Sequence, residues 1–342
     1  MMSPLIKDRN PAGGRVGPSS ELTPLSSWVL APAPASGSGS ASHASAEPSG
    51  GDDARPRNPQ ADSGFSGPLP ADPDLRALLG GTRLGGARYR RGELGRVGPY
   101  VLRKALGAGG MGVTFLVEHE QTRKLACMKV LRPSLAGRAS SRERFIREIE
   151  SLRTIEHRNV VRLLAQGEIH AVEGEPALPF AVMTYARGLT LCRLVDAEGP
   201  LEPGEVARVG AAIACGLDAI HGAGLVHRDL KPNNLVLDRV SDVLTILDLG
   251  LAVPLEDGQA DTSGSRPGTV AGTPAYMSPE QVKGRPIDGR SDLFALGTVL
   301  YTLLSGRSPF HGVSVVETMT RVVAAQPEPL ESIRPGLPAD LV

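Results

Sequence analysis

The chain has 342 residues, 41% apolar and 22% charged, an ordinary composition for a soluble globular protein and enough for two domains or one large one. Lys plus Arg and Asp plus Glu are equal at 37 each, so no overall field argues for nucleic acid or an anionic membrane as partner. The three cysteines, Cys127, Cys192 and Cys215, are widely spaced, which points away from a disulfide framework or a zinc site and fits a reducing cytoplasm.

Met1 to Asn10 carries charges and no continuous apolar stretch, so it does not read as a secretory signal. Nowhere do about 18 consecutive apolar residues occur, so no membrane span is expected within the chain. From Ser3 to about Gly95, Pro, Gly, Ser and Ala dominate, and stretches such as Ala31 to Ser45 cannot build an apolar face. Residues 1–95 are therefore expected to be disordered, because they bury too little to offset roughly 1–2 kcal/mol of backbone entropy per residue. A solvated tail, a start placed too far upstream, and a serine-rich docking or autophosphorylation segment all remain open for it.

Order is expected over 96–342. Tyr100 to Leu106, Val113 to Glu118 and Leu125 to Leu131 are short β-branched or apolar runs that read as three successive antiparallel strands. Ser141 to Ile155 carries Phe145, Ile149, Leu152 and Ile155 at helical intervals. Phe180 to Thr184 reads as another strand. Glu205 to His221 repeats the helical pattern through Val206, Val209, Ile213, Leu217 and Ile220, with Gly222 and Gly224 as a stop. The pattern shifts from strand-rich to helix-rich near residue 188.

Leu106-Gly107-Ala108-Gly109-Gly110-Met111-Gly112 falls between two expected strands, so it should be a hairpin tip whose bare backbone N–H groups can approach a triphosphate. Alone it is equally a flexible turn, and it is not the dinucleotide fingerprint, which needs a helix directly after the glycines. Lys129 ends Ala126-Cys127-Met128-Lys129 on the third strand, where it can reach phosphates or simply keep an edge soluble. Glu148, mid-helix, can pair with Lys129 or be one more solvated charge. His227-Arg228-Asp229-Leu230-Lys231-Pro232-Asn233-Asn234 gathers a base, cations and a metal-ligating amide in eight positions, and Asp248 follows the apolar run Val243 to Leu247.

Together, from about Tyr100 to Gly312, these motifs resemble the eukaryotic-like serine/threonine protein kinases of bacteria, whose glycine loops often read GxGGMG. The resemblance implies an α+β, two-lobed fold: a small antiparallel sheet with one helix (about 96–187), then a mainly helical lobe (about 188–342). It implies ATP and Mg2+ as cofactors and protein Ser/Thr hydroxyls as acceptors, while the balanced charge gives no reason to expect nucleic acid. It assigns Lys129 and Glu148 as the strand–helix pair, Asp229 as base, Lys231 as neutraliser of transferring charge, and Asn234 and Asp248 as magnesium ligands.

Gly107, Gly109, Gly110 and Gly112 would cover the phosphates. Met183 would guard an adenine pocket, the main chain of Thr184 to Ala186 would bond the base, and Leu106, Thr114, Cys127 and Val236 would enclose it. Asp292 would support the catalytic loop from behind. Thr262, Ser263, Ser265 and Thr269 become candidate phosphoacceptors, with Arg228 to receive the phosphate, and pairing of two copies would suit autophosphorylation.

The sequence departs from the family pattern at Thr114 and Cys127, in place of Val and Ala, at Leu249, in place of Phe, and at Ser278, in place of Ala. Cys127 makes a thiol-reactive nucleotide site conceivable, although a buried cysteine is more often an inert hydrophobe. The last helices of the family are expected to be missing, with no arginine to pair with Glu280 and the apolar face of the Asp292 to Leu304 helix partly uncovered. A membrane attachment beyond residue 342 stays open. The competing readings are a non-catalytic pseudokinase or nucleotide-binding scaffold and an inactive fragment of a longer kinase.

Overall fold

The computed structural model describes residues 94–170, 176–248 and 274–338, plus the backbone of two short strands at Thr23–Val29 and Val253–Pro254. Expectations for Leu249, for the hydroxyls between Gly250 and Gly272, and for most of 1–95 lie outside those residues.

The first lobe is a seven-stranded sheet. Its strands are β1 (Thr23–Val29), β2 (Gly95–Val97), β3 (Tyr100–Ala108), β4 (Gly112–His119), β5 (Leu125–Leu131), β6 (Leu163–His170) and β7 (Leu178–Thr184), in spatial order β1-β6-β7-β5-β4-β3-β2. Every pairing is antiparallel except β1 with β6. No sequence pattern points to β1, which carries a proline and three hydroxyl side chains and lies inside the segment expected to be disordered.

Strict alternation explains the sheet's two faces. Val113, Phe115 and Val117 of β4 and Met128 and Val130 of β5 are fully buried on one face with Leu102 and Val182. Thr114, Leu116, Cys127 and Lys129 take the other face, because Thr114 stands opposite Lys129 and Leu116 opposite Cys127.

A one-turn helix α1 (Pro133–Ala136) precedes α2 (Ala139–Arg153), so the lobe holds a short helix beyond the one the sequence implies. Phe145, Ile149 and Leu152 of α2 are buried and join the larger core cluster, which runs on into the second lobe. Each such side chain removed from water contributes roughly 1.5–3 kcal/mol. Between the lobes, Gly188 has φ +106, and a Cβ there would lie 2.1 Å from the Leu237 carbonyl oxygen, so only glycine fits the crossing.

The second lobe begins with β8 (Leu189–Thr190) and α3 (Leu191–Glu198), capped by Thr190, whose hydroxyl accepts from the Arg193 N–H at 3.3 Å. Its central helix is α4 (Pro203–Gly222), and the five residues of the expected apolar stripe are all buried in it. Next come β9 (Leu225–Val226), β10 (Leu235–Asp238), β11 (Val243–Ile246) and β12 (Val253–Pro254). Helices α5 (Pro279–Val282), α6 (Gly289–Ser305), α7 (Val315–Ala324) and α8 (Leu330–Ile333) complete the described chain. On α6, Leu293 is 54% exposed while Ala295, Val299 and Leu303 are buried.

Candidate active site

Lys129 sits on β5, an inner strand flanked by β4 and β7, so the edge-strand alternative does not apply to it. Its ammonium lies 2.6 Å from Glu148 Oε1 and 2.7 Å from Asp248 Oδ1. Glu148, on α2, is 6% exposed and is therefore no solvated helix charge. Three residues from a strand, a helix and a loop thus meet at one cation, although they are far apart in sequence.

One ammonium between two carboxylates leaves a negative charge over, and the more buried acid is the one that holds a proton more tightly. Burial pushes Glu148 up to about 7 against the pull of Lys129. Burial is the largest influence on Asp248 and opposes its ionisation, but the Lys129 ammonium, the hydrogen bond with Glu148 and the nearby His227 together outweigh it and hold that carboxyl down at about 2. The Lys129 ammonium itself loses hydration in the cleft, yet Glu148 and then Asp248 raise its pKa overall.

The catalytic-loop residues converge in the same way. Lys231 Nζ donates to Asp229 Oδ2 at 2.7 Å. Asn234, in a 3-10 turn at Pro232–Asn234, donates its amide to the Asp229 carbonyl at 2.8 Å and to Asp229 Oδ2 at 3.2 Å. That leaves the Asn234 amide oxygen as the side-chain atom able to ligate a cation. The Leu247 N–H donates to the Asn234 carbonyl at 2.8 Å, which ties the segment carrying Asp248 to the segment carrying Asn234. Asp248 has φ 53, and its side chain is 47% exposed with Oδ1 turned to the Lys129 ammonium. An amide oxygen and a low-pKa carboxylate on tied segments form a hard-oxygen pair that fits magnesium. Among the described residues no cluster of three or more His, Cys, Asp or Glu forms a different metal centre.

Behind the loop, Asp292 on α6 is 1% exposed. Its Oδ2 accepts from the His227 N–H at 2.8 Å and its Oδ1 from the Arg228 N–H at 2.9 Å. Several supports here carry no obvious sequence signal. His221 Nε2 contacts Asp292 Oδ2 at 2.8 Å, and Arg132 donates from Nε to the Gly109 carbonyl at 2.7 Å, holding down the glycine turn.

One support was readable in principle. Ser278-Pro279-Glu280-Gln281 is a capping box: Ser278 Oγ accepts from the Gln281 N–H at 3.3 Å, and Gln281 Oε1 from the Ser278 N–H at 2.8 Å. Gln281 Nε2 then reaches the Arg228 carbonyl at 2.7 Å. Ser278, read in the sequence as a departure from the more usual alanine, is thus the cap of α5. Glu280, expected to lack its arginine, accepts a hydrogen bond from the Ser291 hydroxyl.

In the glycine loop, the Gly109 N–H donates to the Gly112 carbonyl at 2.8 Å. A Cβ on Gly112 would lie 2.9 Å from the Val130 carbonyl and 3.2 Å from the Lys129 side chain. Leu106, Thr114, Cys127 and Met183 are half-buried, whereas Val236 is 6% exposed on β10. The Thr184 N–H is committed to the Arg162 carbonyl at 2.9 Å. Burial pushes the Cys127 thiol up to about 12, which makes it the inert alternative.

A two-lobed fold with a lysine–glutamate pair in the first lobe and an HRD-type loop held from behind in the second defines a protein kinase domain. Residues 100–333 match the family described as "Protein kinase domain", and the chain belongs to that family. Similar proteins include the probable serine/threonine-protein kinase PkwA of Thermomonospora curvata, 38% identical over 255 residues, which are 73% of this chain and 31% of that protein. AfsK of Streptomyces griseus, a serine/threonine-protein kinase, is 38% identical over 249 residues, 72% of this chain and 28% of the relative. The serine/threonine-protein kinase PknB of Mycobacterium tuberculosis is 36% identical over 242 residues, 71% and 38%. The chain thus spans about a third of the length of these curated relatives.

Proposed function

We propose that the chain transfers the γ-phosphoryl group of ATP to Ser or Thr hydroxyls of proteins, itself included. The observation that carries this reading is the convergence of Lys129, Glu148 and Asp248 at one point, with Asp229, Lys231 and Asn234 bonded to one another in the adjoining loop. The names of the relatives, all serine/threonine-protein kinases, support the acceptor class.

In the reaction, the acceptor oxygen forms a bond to the γ-phosphorus while the bond to the β-phosphate bridging oxygen breaks, and ADP leaves with that electron pair. The hydroxyl proton passes to the Asp229 carboxylate. Lys231 sets that carboxylate's position and offsets charge on the moving group, and Lys129 holds the α- and β-phosphates. Magnesium, held by Asn234 and Asp248, would neutralise phosphate charge. The base would lie under Leu106, Thr114 and Cys127 and over Val236, with Met183 at the back and the main chain of Thr184 and Ala186 at its edge. Phosphoryl transfer depends on positioning and charge cancellation more than on a strong base, so an ordinary aspartate suffices.

The test is transfer of radiolabel from γ-labelled ATP to an acceptor protein, with Asp248→Asn beside the wild type. Magnesium-dependent labelling by the wild type, lost in Asp248→Asn with the fold retained by circular dichroism, is the expected result. A folded wild type that binds nucleotide and transfers nothing would favour the scaffold reading.

A further inference from the structure

Strand β6 is not the outermost strand of the first-lobe sheet. One side of it is taken by β7 and the other by β1, in a parallel pairing that matches Ser26 with Gly167, Ser27 with Glu168, Trp28 with Ile169 and Val29 with His170. A parallel pairing needs a connection of a dozen or more residues. The stretch from Val29 to Gly95 alone is far longer, so the pairing can form within one chain.

The two strands differ in how they would end a sheet. β6, LLAQGEIH, has neither proline nor lysine, and its one carboxylate, that of Glu168, is taken by Arg142 of α2. Left outermost, it would present a row of free N–H and C=O groups, the arrangement that invites pairing with another strand. β1 carries Pro24, which has no N–H to give, and its register with β6 slips between Thr23 and Ser26. A proline and an irregular register are what blunt a sheet edge. With β1 in place, an open edge is exchanged for a blunted one.

The same edge is fastened to the cluster around Lys129. Arg142, in the first turn of α2, binds Glu168 of β6 and donates to the Ala177 carbonyl, just before β7, at 2.9 Å. That helix is the one that carries Glu148 to Lys129.

We infer that the outer edge of β6 is a strand-docking site whose occupant is residues 23–29 of the same chain. The docking is strand addition through main-chain groups, and it steadies the strand to which α2 is tied. It requires no phosphoryl transfer, so it stands or falls apart from the kinase reading.

The experiment uses the full chain and hydrogen–deuterium exchange read by mass spectrometry. Alternate residues of a strand turn their N–H groups to the same neighbour, so Ser26→Pro together with Ser27→Pro removes a donor whichever of the two faces β6. In the wild type the amides of 163–170 should be protected throughout. In the double variant those that β7 does not take should exchange about tenfold faster, while β4 and β5 stay protected. A synthetic peptide of residues 21–31, added to the double variant, should restore the protection. Trp28 is the chain's only tryptophan, so its fluorescence anisotropy in the wild type should be that of a residue held on the folded lobe. Rapid exchange of 163–170 in the wild type, equal exchange in the two proteins, or the low anisotropy of a freely turning Trp28 overturns the inference. Protection that appears only at concentrations where sedimentation velocity finds dimers also overturns it, because the occupant is then the strand of a second copy. The wild-type anisotropy and exchange decide the matter even where the double variant fails to fold.

Discussion

Asp292 holds Arg228 in a backbone conformation that arginine otherwise avoids. Arg228 has φ 64, in the left-handed region, and its N–H is held by Asp292 Oδ1 at 2.9 Å while the neighbouring His227 N–H is held by Oδ2. Such a residue costs on the order of 1–3 kcal/mol and persists only where surrounding bonds fix it. Replacing one acceptor oxygen by a donor, Asp292→Asn, should cost about 1–3 kcal/mol in urea unfolding. It should also lower kcat at least tenfold with little change in KM for ATP, because the loop carrying Asp229 loses its anchor. Unchanged kcat in a destabilised protein would assign Asp292 to the fold alone.

Lys129→Met removes the cation that Glu148 and Asp248 share and leaves two carboxyls facing each other. Loss of one partner from a buried charge group typically costs about 3–5 kcal/mol, so the variant should unfold at lower denaturant and transfer no phosphate. The pair Lys129→Met with Glu148→Gln should recover part of the stability and none of the activity. Recovery of activity in the double variant would contradict the phosphate-holding role.

The pH dependence follows from the same cluster, and the two acids act in opposite senses. Glu148 is raised in the folded chain, so its contribution to stability is full below its unfolded value and is lost as pH rises through about 7. Asp248 is lowered, so its contribution is present above its unfolded value and is lost as pH falls toward about 2. Under the proposed function the ionised Lys129–Glu148 pair orients the phosphates, so kcat should fall as pH drops below about 7 while the protein stays folded. Glu148→Gln should remove that acid limb from the pH profile of whatever activity it retains. A profile flat across neutral pH in the wild type would contradict the assignment.

Much of this residue cluster was legible in the sequence because its members lie in short contiguous segments. The order of the glycine turn, Lys129, Glu148, the Asp229 loop and Asp248 named the cluster, and the 3.6-residue periodicity of α2 and α4 placed their buried faces correctly. What was not legible comes from pairing between distant segments. Strand β6, with sequence LLAQGEIH, mixes polar and apolar residues without alternation and interrupts them with a glycine, so its place beside β7 comes from tertiary pairing. His221 and Arg132 look like surface charges in sequence, and only the packing of α4 against α6 and of β5 under the glycine turn brings them to Asp292 and Gly109.

Cysteine reactivity separates the two readings of Cys127. Burial holds its thiol far above neutral pH, whereas Cys215 is exposed on α4. Iodoacetamide at mildly alkaline pH should therefore modify Cys215 first and leave Cys127 intact in the native protein, as read by peptide mass mapping. Preferential labelling of Cys127, blocked by ATP, would make it a reactive nucleotide-site thiol after all.

The central claim is that Asp229 accepts the proton of a hydroxyl being phosphorylated. Its most direct test is magnesium- and ATP-dependent autophosphorylation of the full chain, beside Asp229→Asn, with nucleotide binding measured on both. The account predicts phosphoserine or phosphothreonine in the wild type and, in Asp229→Asn, retained nucleotide binding with phosphate incorporation reduced by at least about a hundredfold. Equal incorporation in the two proteins would contradict it.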